Sequence, residues 1–216
     1  MPYRNVETIH AEHAARHAAI RARLADFARV PQDTWFYELA YCLLTPQSSA
    51  VNASHVVDAL QANGFLDRGE DPTHLLRDGR HYIRFHNTKA QRLLEARETF
   101  NALRRELEES SARENASWTD GRNLRLWLLK NIRGLGWKEA SHFLRNIGYR
   151  NLAILDRHIL RNLKKHGVIR GLPKSLTPKR YCAIERSFLK FSDVLGIPMD
   201  ELDLLFWSRE TGEIRK

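Results

Sequence analysis

The sequence predicts an all-α fold. Three observations carry that reading: apolar residues recur at helical spacing almost throughout, alternating strand-like runs are scarce, and cap residues punctuate the periodic stretches. At the usual helix length of about 11 to 12 residues, this amounts to roughly ten helices with short connections.

In chain order, Ile20, Leu24 and Phe27 mark an N-terminal helix, and Phe36, Leu39, Ala40 and Leu43 mark the next. Ser48 and Ser49 offer N-caps for a helix carrying Val56, Val57 and Leu60, which ends at Gly64. Gly64 to Arg80 is rich in Asp, Gly and Pro and reads as the least helical segment. Leu93, Leu94 and Phe100 mark a further helix. Ser117-Trp118-Thr119-Asp120 then offers caps for one holding Leu124, Trp127 and Leu128. Gly148, Gly167 and Gly196 sit where later helices would end, Pro198 follows one of those ends, and Arg170 to Pro178 forms a second break. There is no internal repeat and no low-complexity tract.

With 216 residues and 43% apolar content, the chain is long enough for a sizeable core, in one domain or two small ones. Thirty-five Lys and Arg against 26 Asp and Glu leave a net charge of +9, which favours a polyanionic partner such as nucleic acid or anionic lipid. The apolar runs are far shorter than a membrane span and the N-terminus lacks the apolar core of a secretion signal, so the expectation is a soluble intracellular protein. Cys42 and Cys182 are too few for a C-x-x-C zinc site or an iron–sulfur cluster and read as two buried thiols. His10, His13 and His17 form one helical stripe, but no carboxylate or cysteine pattern accompanies them, and no functional metal is expected.

The chemistry concentrates around RGLGWKEASHF. Ile132-Arg133-Gly134-Leu135-Gly136 has the form h-x-G-h-G between two apolar-periodic stretches, which is a helix-hairpin-helix pattern. Its glycines allow a tight turn and let a phosphate approach backbone N–H groups at a helix N-terminus, while Leu135 plugs into the helix pair. An ordinary interhelical glycine turn has the same local form. Lys138 weighs against that reading, because a cation in the first helical turn opposes the positive end of the helix dipole. The same field favours the neutral amine, the nucleophilic form. Asp156 opens DRHILRNLKKHG, where it reads as an N-cap; a cap can also hold a carboxylate rigidly for catalysis.

GLGWKEASHFLRNIGY followed by AILDRHIL resembles the helix-hairpin-helix DNA glycosylases, and most closely the type 2 8-oxoguanine DNA glycosylase/AP lyase family. Leu43-Leu44-Thr45-Pro46-Gln47 resembles the segment carrying the residue wedged into the duplex, and Phe85-His86-Asn87-Thr88-Lys89-Ala90 resembles the N-x-K-A helix start. The stretch from Ile197 through Phe206-Trp207 to Lys216 resembles the type 2 C-terminus. The match covers about residues 40 to 216, and the absence of a C-terminal cysteine cluster argues against the endonuclease III branch.

The resemblance implies two helical subdomains flanking a DNA-binding cleft, with 40–150 as the central one and 1–39 joining 151–216 as the second. It implies Lys138 as the Schiff-base nucleophile and Asp156 as the carboxylate that stabilises positive charge on the sugar. Gly134, Leu135, Gly136, Gln47, Arg157 and Arg161 would bind DNA, and Lys216, Trp207 and Phe85 would recognise the base, with no metal and no cofactor. Gln47 also reads as a plain turn residue after Pro46. The basic run Arg157, His158, Arg161, Lys164, Lys165, His166 and Arg170 reads as a phosphate-binding rim or as a solvated face. The expected partner is double-stranded DNA containing oxidised guanine, met by a monomer in the cytoplasm at the nucleoid, with no membrane. Two alternatives stand beside this: the same machinery acting on another damaged or mismatched base, and a non-catalytic helix-hairpin-helix module that needs the glycines but not the Lys/Asp pair.

Overall fold

The computed structural model describes residues 3–111 and 118–214. Among them the only regular elements are eleven α-helices and a 3-10 turn, so the chain is all-α as its periodicity predicts. It folds as two compact units, Val30–Phe143, and Met1–Arg29 with Leu144–Lys216. The changeovers fall ahead of the expected 39/40 and 150/151. Helix α2 (Trp35–Leu44) lies wholly in the contiguous unit, and the chain leaves that unit inside α8 (Trp137–Asn146).

The contiguous unit is built around α2, whose every residue is buried. Helices α3 (Ala50–Ala62) and α6 (His86–Ser111) pack against it, and α7 (Trp118–Asn131) packs on α6. Phe36 meets Phe65 at 5.8 Å in a stacked pair and Phe100 at 5.2 Å edge-on. Burying such a ring stabilises by about 1.5–3 kcal/mol. The segment from Gly64 to Arg80, expected to be loop, contains two single-turn helices, α4 (Phe65–Arg68) and α5 (Thr73–Leu76). Their support is tertiary: Arg97 on α6 donates to the carbonyls of Leu66 (2.6 Å) and Asp67 (2.7 Å), the kind of C-terminal acceptors a short helix cannot satisfy itself.

In the other unit, α11 (Met199–Thr211) packs on α1 (Val6–Ala28), α9 (Arg157–Lys165) and α10 (Pro178–Leu195). Thr177 caps α10, with Pro178 in its first turn, and Gly196 at φ +63 closes it. His166 is fully buried rather than part of a basic rim: it stacks on Phe206 at 5.4 Å and its Nδ1 lies 2.9 Å from the Arg4 carbonyl. Burial pushes its imidazole below the usual range. Cys42 is buried and Cys182 half-buried, and no disulfide joins them. No helix among the described residues is long and apolar enough to cross a membrane.

Candidate active site

The hairpin sits at the α7–α8 junction. Leu135 is buried, as a plug must be, and the first turn of α8 is set by the Ala140 N–H donating to the Gly136 carbonyl at 2.9 Å. Gly134 has φ +96, a backbone conformation that favours glycine, and a Cβ there would fall 2.5 Å from Arg92 Cδ, so that side chain would have to shift. The turn is therefore fixed by chemistry rather than by length alone.

Lys138 lies in the first turn of α8, its side chain 31% exposed, with Nζ 3.2 Å from Glu139 Oε1. The carboxylate beside it offsets the unfavourable dipole field and lies in reach of the ammonium's proton. Glu139 escaped the sequence reading, although an acidic residue at that position of a helix start is a familiar signal. Gly136 makes room for it: a Cβ at 136 would lie 2.8 Å from Glu139 Oε2.

Asp156 caps α9 as expected. Its Oδ1 accepts the N–H groups of His158 and Ile159, both at 2.8 Å, which fixes the carboxylate at the helix N-terminus. Asp203 on α11 shares the electrostatics of Asp156. Burial pushes its carboxyl up to about 8, Arg145 opposes that shift, and the charges of Asp156 and Asp200 add to it. Asp203 Oδ1 is buried without a hydrogen-bond partner, and Arg145 Nη1 stands 3.9 Å from Oδ2.

Gln47 and Phe85 share an uncommon property. Both are exposed non-glycine residues in the left-handed region, at φ +58 and φ +61, a conformation that persists only where surroundings impose it. Those surroundings are visible. Buried Lys89 donates to the carbonyls of Leu44 (2.6 Å) and Pro46 (2.7 Å) and to Ser48 Oγ (3.1 Å). Ser48 Oγ also accepts the Arg84 N–H at 3.0 Å, so one hydroxyl ties the Gln47 turn to the residue before Phe85. Burial, with the nearby Arg92 charge, pushes the Lys89 amine down to about 8. The N-x-K-A pattern contains Lys89, but its acceptors lie more than 40 residues away in the chain and are not visible in that motif.

The remaining expected positions divide by unit. Gln47, Phe85, the hairpin and Lys138 belong to the contiguous unit, and Asp156, Arg157, Arg161 and Trp207 to the other. Arg157 and Arg161 are exposed and Trp207 is half-buried, while Lys216 lies outside the described residues.

An all-α chain with a glycine hairpin feeding a lysine into a helix start, and an aspartate capping a later helix, falls in the helix-hairpin-helix class of DNA-repair proteins. A family model described as 8-oxoguanine DNA glycosylase matches residues 20–197, and the chain belongs to that family. It is 42% identical over 180 residues to the 8-oxoguanine DNA glycosylase/AP lyase of Fusobacterium nucleatum, covering 83% of this chain and 81% of the relative. It is 39% identical to that of Korarchaeum cryptofilum, covering 91% and 90%. The crystal structure of the Methanocaldococcus jannaschii enzyme in complex with a 15mer DNA containing 8-oxoguanine superposes with a TM-score of 0.82 at 30% identity, covering 98% of this chain and 99% of that one.

Proposed function

We infer that the chain removes 8-oxoguanine from DNA and then cuts the strand at the abasic site, acting in base-excision repair as a bifunctional DNA glycosylase and AP lyase. Family membership and the relatives' activity support this. The structural observation that carries the mechanism is Lys138, held at the mouth of α8 directly behind the hairpin with a carboxylate 3.2 Å away.

A base within a duplex shields its sugar, so the nucleotide is first extruded, at a cost of a few kcal/mol. Gln47 fills the vacated stack, and Trp207 or Phe85 stacks on the extruded base. Oxidation turns guanine N7 from an acceptor into an N–H donor, and a carbonyl around Lys216 accepts from it. The hairpin N–H groups of Gly134, Leu135 and Gly136, with Arg157 and Arg161, hold the flanking phosphates.

Lys138, its proton passed to Glu139, forms the Nζ–C1′ bond as the bond from C1′ to the base breaks and the base leaves with the electron pair. Asp156 stabilises the positive charge that develops on the sugar. Ring opening and loss of the nitrogen's proton give the Schiff base. A carboxylate takes the C2′ proton as the 3′ phosphate leaves with its bonding electron pair by β-elimination, and water releases the lysine. An amine and a carboxylate supply both steps, so the mechanism draws on neither metal nor cofactor. The protein acts as a monomer on the nucleoid in the cytoplasm.

Borohydride trapping on a duplex with one 8-oxoguanine opposite cytosine tests this, alongside undamaged guanine and an oxidised pyrimidine. The expected result is a covalent adduct on 8-oxoguanine, absent in Lys138→Gln although that variant still binds DNA. Adducts on the pyrimidine instead keep the chemistry and overturn the substrate. No adduct despite tight DNA binding makes the chain a non-catalytic module.

A further inference from the structure

We propose that His13, His17 and Glu201 form a binding site for a divalent transition metal of zinc's class, joining α1 to α11. The two histidines stand one helical turn apart, so their rings leave α1 on the same face. The carboxylate that faces both rings arrives from α11. His13 Nε2 lies 2.7 Å from Glu201 Oε2, His17 Nε2 lies 3.8 Å from the same oxygen, and all three donor atoms fall within 4.8 Å of one another.

Tetrahedral zinc with bonds of about 2.0–2.1 Å needs donors roughly 3.3–3.4 Å apart, a spacing reached from here by small side-chain rotations. The imidazole rings sit side by side, 5.1 Å between centroids and 59° between planes, as two ligands of one ion do more readily than two stacked rings. Two imidazoles and one carboxylate form a donor set suited to zinc, cobalt or nickel rather than to calcium or magnesium.

Two further features separate this cluster from an ordinary ion pair. Glu201 is 3% exposed, and its other oxygen, Oε1, faces Arg21 Nη1 at 3.4 Å. An outer guanidinium thereby turns Oε2 toward the imidazoles, the arrangement in which a neighbouring group orients a ligating carboxylate. Only His13 is within hydrogen-bond distance of Oε2, so a proton uses one imidazole where a metal uses both. The donors also run from buried Glu201, through His13 at 15% exposure, to His17 at 52%, which opens the cluster to solvent for entry and for a water as fourth ligand. The positive charge of Arg21 opposes a dication nearby, so micromolar rather than nanomolar affinity is expected.

The site uses only residues of one unit and is independent of the Lys138 chemistry. The full chain, stripped with chelator, is titrated with zinc by calorimetry and with cobalt by visible absorption. The expected result is a single saturable equivalent, a tetrahedral cobalt spectrum and a raised melting temperature. His17→Ala, a half-exposed position that leaves the core intact, should weaken binding by about 10–100-fold. His10→Ala, also on α1, should change nothing. Absence of saturable binding, or equal binding by His17→Ala, overturns the proposal.

Discussion

The Lys89 ammonium and the Pro46 carbonyl lie 2.7 Å apart, joining the start of α6 to the residue before Gln47. Lys89→Met keeps the side chain's bulk but strips the donors from the carbonyls of Leu44 and Pro46. Leaving them unpaired should cost about 1–3 kcal/mol in stability, measured by denaturant unfolding. Excision of 8-oxoguanine should fall further than Schiff-base trapping at a preformed abasic site, where no base has to be drawn from the stack. Equal losses on the two substrates would leave Lys89 with a structural role alone.

Gly134→Ala places a Cβ 2.5 Å from Arg92 Cδ on a backbone at φ +96. The left-handed conformation alone costs about 1–2 kcal/mol, and a displaced Arg92 adds to it. Duplex affinity should drop together with the denaturation midpoint; a variant with unchanged affinity would place the phosphate contact elsewhere.

Asp156→Asn separates two jobs done by one side chain. Asparagine caps a helix about as well as aspartate, so the melting temperature should hardly move. Base release should slow by about 10²–10³-fold, the usual effect of removing one preorganised electrostatic contact. Single-turnover kinetics beside a thermal melt reads both, and a rate unchanged under these conditions would reduce Asp156 to a cap.

Asp203 gives stability a dependence on pH. Its folded carboxyl is pushed up to about 8 from an ordinary 3.8, so between those values the folded chain keeps a proton that the unfolded chain releases. Stability contributed by this group is therefore lost as pH rises through that window. Asp203→Asn removes the effect, and the variant should gain on the parent steadily from about pH 4 to pH 8 in urea unfolding. A constant difference across that range would contradict the assignment.

The parts legible in the sequence are those that one stretch of chain determines. The hairpin, the first-turn lysine and the aspartate cap each follow from a few consecutive residues whose backbone demands are local. Lys89 reads as a helix residue until Leu44 and Pro46 are brought to it, and His13 and His17 lacked a carboxylate because Glu201 reaches them only through tertiary packing. His166 failed as a surface residue for the same reason: a basic run on paper conceals the one face that turns inward onto Phe206. The short α4 escaped because the donor that sustains it, Arg97, lies on another helix.

One unit is a continuous stretch of chain, whereas the other joins the first 29 residues to those from 144 onward. On a ribosome, residues 30–143 have all their partners once they have emerged. Helix α1 emerges first but must wait for α11, its packing partner, before Ile9, Ile20, Leu24 and Phe27 can leave water. Its apolar stripe is thus made early in synthesis and covered only at the end of it.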